Sequence, residues 1–388
     1  MKKNWVYLTL PVIFFFLTVF VSKLAAKEAG KVVLAQESEG MSFQVEEMAS
    51  GLGIPWAMAF LNPYEMIFTQ RDGPISIFSP NAGKITRLKG GPARIKHGGQ
   101  GGMLDVALPP NYAPGGWIYF TYSREENGKG VTTLAKARRE NNRLKDWQDL
   151  LVTLSATKKT IHYGSRIAFD DAGHIYFTVG DRGVRPNAQN LSNHAGTVLR
   201  VNMDASVPKD NPFVSIKDSL PEIFSFGHRN PQGIVYDFSN KRLWAIEHGP
   251  RGGDEINLIL PGRNYGWPVI SYGKEYWGPI QVGEGKAKKG MEQPKKYYDP
   301  SIAPGSLLLY TGNAFPKWKG NLMAGALKLQ HLNRLAVDPA GNIISEERLL
   351  KALNARIRAM AQSPEGWIYL SADSGYIYRI KPAVRNKQ

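Results

Sequence analysis

Beyond Ser42 the chain keeps returning to one pattern. A run in which apolar residues alternate with polar ones leads into a turn holding Asp, Asn, Pro or Gly, and a second apolar run follows. Ile54–Phe78, Met103–Ser123, Arg166–Asp181, Gly233–Gly249, Ser306–Leu327 and Arg358–Ile380 are six copies of this unit. Alternation at period two marks a strand with one face in a core, and the turn makes each copy a hairpin. Less regular strands lie between copies, as at Leu335–Ile344 and before Asn202. No long amphipathic helix interrupts the series and no strand–helix alternation appears, so the class is all-β. Units recurring every roughly 50–70 residues are too long for solenoid repeats and fit four-stranded antiparallel blades with inserted loops. The expected fold is a six-bladed β-propeller over residues 42–382. A pair of β-sandwiches would need a linker near the middle, and none is visible.

The ends of the chain change the picture of where this body works. Lys2 and Lys3 precede an apolar run from Trp5 to Val21, followed by Ser22-Lys23-Leu24-Ala25-Ala26, the layout of an export signal. At 17 residues the run is at the short edge of a membrane-spanning helix, and Leu24 is larger than a cleavage site prefers. Cleavage after Ala26 is the leading reading and a retained anchor the alternative. Both put the body outside the cytoplasm, periplasmic or otherwise extracytoplasmic, and the second adds membrane association. Residues 27–41 read as a polar tether and 383–388 as a basic tail. There is no Cys, which excludes disulfides, thiolate metal sites and a Cys nucleophile. Net charge is +16, and removal of residues 1–26, with three Lys and no acid, leaves +13. Export and the absence of a recognised reader motif argue against nucleic acid. A solvated basic face or an acidic ligand remains, with extra Lys gathered in the loop Gly285–Lys296.

Candidate chemistry concentrates in Gly227–Trp267. Two polar clusters, His228–Gly233 and Glu247–Glu255, flank an apolar run broken by a turn at Asp237–Asn240. A hairpin would bring both clusters to one end of a sheet. In a propeller that end faces the central channel, where the approaches to the other inner strands also converge. Those approaches carry Gln100 in a Gly-rich loop, His162, Arg229 with Asn230, Lys328 just past the fifth copy, and Arg356 with Arg358. Gln100 sits among glycines that lack the spacing of a dinucleotide fingerprint, so a tight turn is the competing reading. His162 precedes an inner strand where a general base would be useful. His228 and His248 are candidates too, better suited to supporting roles. Four cations at one channel call for an anionic ligand, best one bearing carboxylates. Gly249, Pro250, Asp254 and Glu255 offer carbonyls and carboxylates suited to a hard cation such as Ca²⁺, or simply turn and capping groups. No GxSxG, HExxH or EF-hand pattern is present.

The motifs GQGGMLDV, HYGSRIAF, GHRNPQG, EHGPRGGDEIN, NYGWP, GALK and RIR occur in that order. Together they resemble the soluble pyrroloquinoline quinone (PQQ)-dependent aldose sugar dehydrogenases, over roughly Gly51–Ile380. The resemblance implies a six-bladed propeller that oxidises aldoses at C1 to lactones by hydride transfer to the quinone. Electrons would then pass to an external quinone, cytochrome or dye-type acceptor. It implies His162 as general base and Arg229 as the group that stabilises charge developing on the quinone oxygen. Gln100, Arg229, Asn230, Gln232, Tyr276, Ala326, Lys328, Arg356 and Arg358 match cofactor-contacting positions. Gly249 and Pro250 match the carbonyls of a catalytic calcium, and Glu255 and Tyr265 a further calcium site. Glucose-oxidising members carry an Asp before the base where this chain has Ile161, which points to the broader aldose branch. A non-catalytic propeller and a calcium-dependent propeller lactonase are the other classes. The first should lose the base or the arginines, and the second should place acids and amides on the axis.

Overall fold

The computed structural model describes Met1 and residues 30–383; residues 2–29, which include the stretch read as an export signal, and the last five residues lie outside the described residues. Six antiparallel sheets follow one another along the chain. Their innermost strands are Pro55–Asn62, Met103–Ala107, Ile167–Phe169, Pro231–Asp237, Pro304–Leu309 and Ile357–Gln362. Each packs against the next, and the sixth against the first, so the sheets are blades arranged around an axis. Every copy of the sequence unit holds the two inner strands of one blade.

The second strand of a blade is buried on both faces, as in Glu65–Gln70, His174–Val179, Arg242–Glu247 and Ile368–Ala372. Sheets above and below cover it, which is why these segments read as continuous apolar runs and not as alternation. The core is accordingly divided into layers between blades. Phe315 stacks on Trp318 at 4.2 Å, with Phe43 edge-on at 5.4 Å, between the fifth and sixth blades. Tyr119 meets Phe169 between the second and third at 5.3 Å.

Ring closure uses the start of the chain. Met41–Ala49 pairs with Tyr376–Pro382, completing the sixth blade with a strand from the opposite terminus. The stretch read as a tether holds a further strand, Lys31–Ser38, which adds a fifth, outermost member to that blade. Its turn is clasped to the fifth blade: Arg334 donates to Glu39 at 2.5 Å and to Glu347 at 2.8 Å, and Trp318 Nε1 donates to Ser38 at 3.1 Å. Closing the ring in this way joins strands from both ends of the described chain in one sheet.

On the axis lies Arg166, whose planar fork reaches all the other blades. Its Nε donates to the Gln232 carbonyl at 2.9 Å, Nη1 to Trp56 O and Asp105 Oδ1 at 3.3 and 3.2 Å, and Nη2 to Gly305 O and Arg358 O at 2.6 and 2.9 Å. All five guanidinium donors are therefore used. Each acceptor belongs to the first three residues of an inner strand, so Arg166 marks a layer that closes the channel and floors the cavity above it.

Candidate active site

Above that floor the starts of the inner strands and the ends of the second strands meet in one cavity of about 360 Å³. Antiparallel pairing explains the convergence: a hairpin that leaves the rim returns to it. The Asp237–Asn240 turn does this for the fourth blade. Asp237 Oδ1 accepts from Ser239 N and Asn240 N, and Pro231 returns opposite Glu247. Both polar clusters are thus joined, with His248 N donating to Asn230 O at 3.2 Å.

His162 stands in the loop before the third inner strand. Its Nδ1 is 2.7 Å from Asp181 Oδ1, and its backbone N–H donates to Gln100 Oε1 at 2.8 Å. Asp181 is almost completely buried and also accepts from Gly183 N at 2.7 Å and Trp267 Nε1 at 2.8 Å. Burial alone would raise its pKa, but the hydrogen bonds from His162 and Gly183 and the nearby Arg229 hold it below the usual carboxylate range. An ionised carboxylate only accepts, so Nδ1 carries the imidazole proton and Nε2 is the free lone pair. Burial pushes the His162 pKa below its ordinary value; Asp181 pulls it upward, and the charges of Arg229 and Arg182 push it further down. The ring is held neutral and oriented, and the side chain keeps 12% of its exposure.

Arg229 enters from the fourth blade. Its backbone N–H is fixed by Glu247 at 2.7 Å. Nη1 donates to Gly249 O at 2.7 Å, Nη2 reaches Tyr276 Oη at 3.4 Å, and the guanidinium lies 5.3 Å from the Trp267 ring. Tyr276 is otherwise exposed at the rim. Asn230 and Gln232 line the cavity and hold Gly164, the first through its N–H at 3.2 Å and the second through its carbonyl at 3.0 Å. Gln100 also lines the cavity. The glycines beside it are required by the turn: Gly98 and Gly102 have φ of 112° and 151°, and a Cβ at Gly102 would fall 1.7 Å from Arg71 O.

Arg356 and Arg358 also line the cavity, but Asp373 lies between them. It accepts from Arg358 at 2.8 and 3.0 Å and from Arg356 at 3.1 Å. Part of the positive charge that calls for an anionic ligand is therefore already balanced within the protein. With Arg71 on the wall, the lining still holds three Arg to one Asp. Burial and the charge of Arg358 push the Arg71 pKa down, as expected for crowded cations. Five of the expected catalytic and cofactor-contacting positions are not on this wall: His162, Arg229 and Tyr276, described above, and Ala326 and Lys328. Ala326 is buried within the strand Leu322–Ala326, and Lys328 is exposed; Leu327 between them faces the cavity, its carbonyl accepting from Arg356 at 3.0 Å.

A profile of the glucose/sorbosone dehydrogenase family matches residues 52–379. The chain belongs to this family. It is 34% identical over 346 residues to the aldose sugar dehydrogenase YliI of Escherichia coli K12, covering 87% of this chain and 92% of that one. It is 25% identical over 411 residues to the quinoprotein glucose dehydrogenase B of Acinetobacter calcoaceticus, covering 85% of each. The solved apo-form of the soluble E. coli aldose sugar dehydrogenase superposes with a TM-score of 0.83 at 34% identity, over 88% of this chain and 100% of that one. The protein is therefore an oxidoreductase of the sugar-dehydrogenase kind.

Within this family frame the remaining expected positions concern metal. Among the described residues no cluster of three or more His, Asp and Glu side chains is arranged around a metal position. The Gly249 carbonyl is occupied by Arg229, and carbonyls bring no net charge, so a cation at Gly249 and Pro250 needs an anion beside it. Glu255 differs. It faces Glu247 in a small void of about 10 Å³ also lined by Tyr265, Gly227 and Gly253, room for a single ion or water. Burial and the neighbouring Glu247 push the Glu255 pKa up to about 8. Two acids sharing a small void suit a hard cation, with Arg229 also on its lining. The Tyr265 hydroxyl is spent on Leu258 O at 2.6 Å and Leu260 N at 2.9 Å, which leaves its backbone carbonyl for such a role.

His228 is fully buried between Glu247 at 2.8 Å and Ser225 at 2.9 Å and stacks on Tyr265, a structural post. His248 lines the cavity with Nε2 on Pro304 O at 2.6 Å, and burial with the nearby Arg229 lowers its pKa to about 3. Sequence reading missed Arg71, Asp181, Arg182 and Asp373. All four lie one to three residues past the end of a second strand. The signal in the sequence is the charged residue that closes each of these hairpins.

Proposed function

We propose that this protein oxidises aldose sugars at C1 to lactones with PQQ and calcium, passing electrons to an external acceptor. The observation that carries the reading is a neutral His162, its Nδ1 held by Asp181 and its pKa lowered by the nearby charge of Arg229, with the next residues along the chain, Tyr163 and Asn230, on the wall of a cavity lined by arginines. PQQ bears three carboxylates, which suit Arg71, Arg356 and Arg358, with Gln100, Asn230 and Gln232 as neutral partners. Its carboxylates would also supply the anion that a cation at the Gly249 and Pro250 carbonyls lacks, while Glu255 and the Tyr265 carbonyl would hold a separate structural calcium. When bound, PQQ supplies the two-electron acceptor for the C1 hydride, and calcium polarises it as a Lewis acid.

The protein's own contribution is positional and electrostatic. His162 Nε2 accepts the proton of the anomeric hydroxyl, and Asp181 stabilises the imidazolium that results. Arg229, anchored on Gly249 O and backed by Trp267, offers positive charge where oxygen gains electron density. Ile161, beside the base, has no side-chain group to hydrogen-bond a sugar hydroxyl, which supports broad aldose use. The Lys2–Ala26 pattern supports an extracytoplasmic site of action, and cell fractionation with an epitope at the C-terminus checks it.

The test is reconstitution. Cofactor-free protein is assayed for aldose-dependent dye reduction with PQQ and Ca²⁺ added singly and together. Activity that needs both, and that is lost in His162→Ala while PQQ still binds, is the expected result. Tight PQQ binding without turnover on any aldose would move the substrate elsewhere, and absence of PQQ binding would sink the proposal.

A further inference from the structure

His162 has φ 55°, and Gly164 and Ser165 follow at 64° and 81°. The left-handed region is strained for a residue with a side chain and persists only where the surroundings enforce it. Three consecutive residues enforce it here. Gly180 lacks the Cβ that would fall 2.3 Å from the His162 carbonyl oxygen, and Asp181 holds the imidazole. Arg182 is next. It is completely buried, and its guanidinium donates to the carbonyls of Ile161, Lys159 and Gly130, the last two at 3.1 Å, while its face rests 3.4 Å from the Tyr163 ring. One planar group thus grips the residue before the base and the residue after it.

Buried charge without a carboxylate contact is costly, and a smaller apolar residue could fill the space without that penalty. What a guanidinium alone offers is a flat five-donor fork that can span several carbonyls and stack on an aromatic face at once. Arg182 touches neither the cavity nor the imidazole. We propose that Arg182 is a positioning residue for the base: it locks the left-handed backbone of His162 so that Nδ1 meets Asp181 and Nε2 faces the substrate. This rests on the reading of His162 as base, and it is distinct from it.

The test uses the full chain with Arg182→Lys, which keeps the charge and loses the fork. In cofactor-free protein, imidazole NMR follows the hydrogen-bonded Nδ1–H of His162, assigned by its loss in His162→Ala. We expect that resonance to vanish or move upfield. In the loaded enzyme we expect kcat to fall on the order of 10²-fold, with KM and PQQ affinity within about threefold. A folded Arg182→Lys with unchanged resonance and kcat overturns the proposal. Should that variant not fold, Tyr163→Leu, which removes the stacking face, must shift the same resonance, and an unshifted one overturns it equally. If wild type oxidises no aldose while Arg182→Lys still displaces the resonance, the base assignment falls and the positioning of His162 stands.

Discussion

Arg166→Met removes the guanidinium at the axis while nearly keeping its length and burial. The change strips donors from four carbonyls, those of Trp56, Gln232, Gly305 and Arg358, and from Asp105. Asp105 keeps only backbone partners such as Ile167 N, and burial already raises its pKa against the pull of Arg166. Breaking a buried pair by deleting one partner costs about 3–5 kcal/mol, and water entering from the cavity can satisfy some of the carbonyls. At ~2.1 cal/mol/K per residue, a chain of this size has an unfolding entropy of roughly 0.7–0.8 kcal/mol/K, so the midpoint should fall by about 4–7 °C. The assay is calorimetry of cofactor-free protein at one scan rate, extended to Asp105→Leu and the double variant. Removing both partners takes away the unpaired carboxylate, so the double should be less destabilised than the sum by about 1 kcal/mol or more. A shift under ~1 °C, or single effects that simply add, would refute the picture of an axial tie between blades.

Protonation of His162 should abolish its role as base, so kcat/KM should rise with pH along a limb whose midpoint lies below the ordinary imidazole value of 6.5. Asp181→Asn removes the group that pulls this pKa upward, so the limb should move to still lower pH while kcat falls on the order of 10²-fold, read from the pH–rate profile. At Glu255 the folded pKa lies above the unfolded one, so metal-free protein binds more protons folded than unfolded between pH 4.5 and about 8. Its stability should decline as pH rises through that window, Ca²⁺ should restore it, and Glu255→Gln should flatten both responses in thermal melts.

Much of this molecule is legible in order of appearance. Six repeats of strand, turn and strand require six hairpins, because each apolar run can be buried only against its neighbours, and the count set the blade number. The candidate base, Arg229, Asn230, Gln100 and the Arg356–Arg358 pair were legible because they sit in Gly-rich or charge-rich approaches to inner strands. Local pattern could not show which residues return to the same rim. Asp181 is 19 positions from His162, Asp373 is 15 from Arg358, and Arg166 meets Gly305 across 139, and only antiparallel return and ring closure bring them together. The tether showed no firm period, and only pairing with Met41–Ala49 reveals Lys31–Ser38 as a strand. Burial was equally a tertiary matter. It keeps His162 neutral, lifts Glu255 and drives His248 to about 3, and desolvation depends on what packs around a group, which no local sequence pattern states.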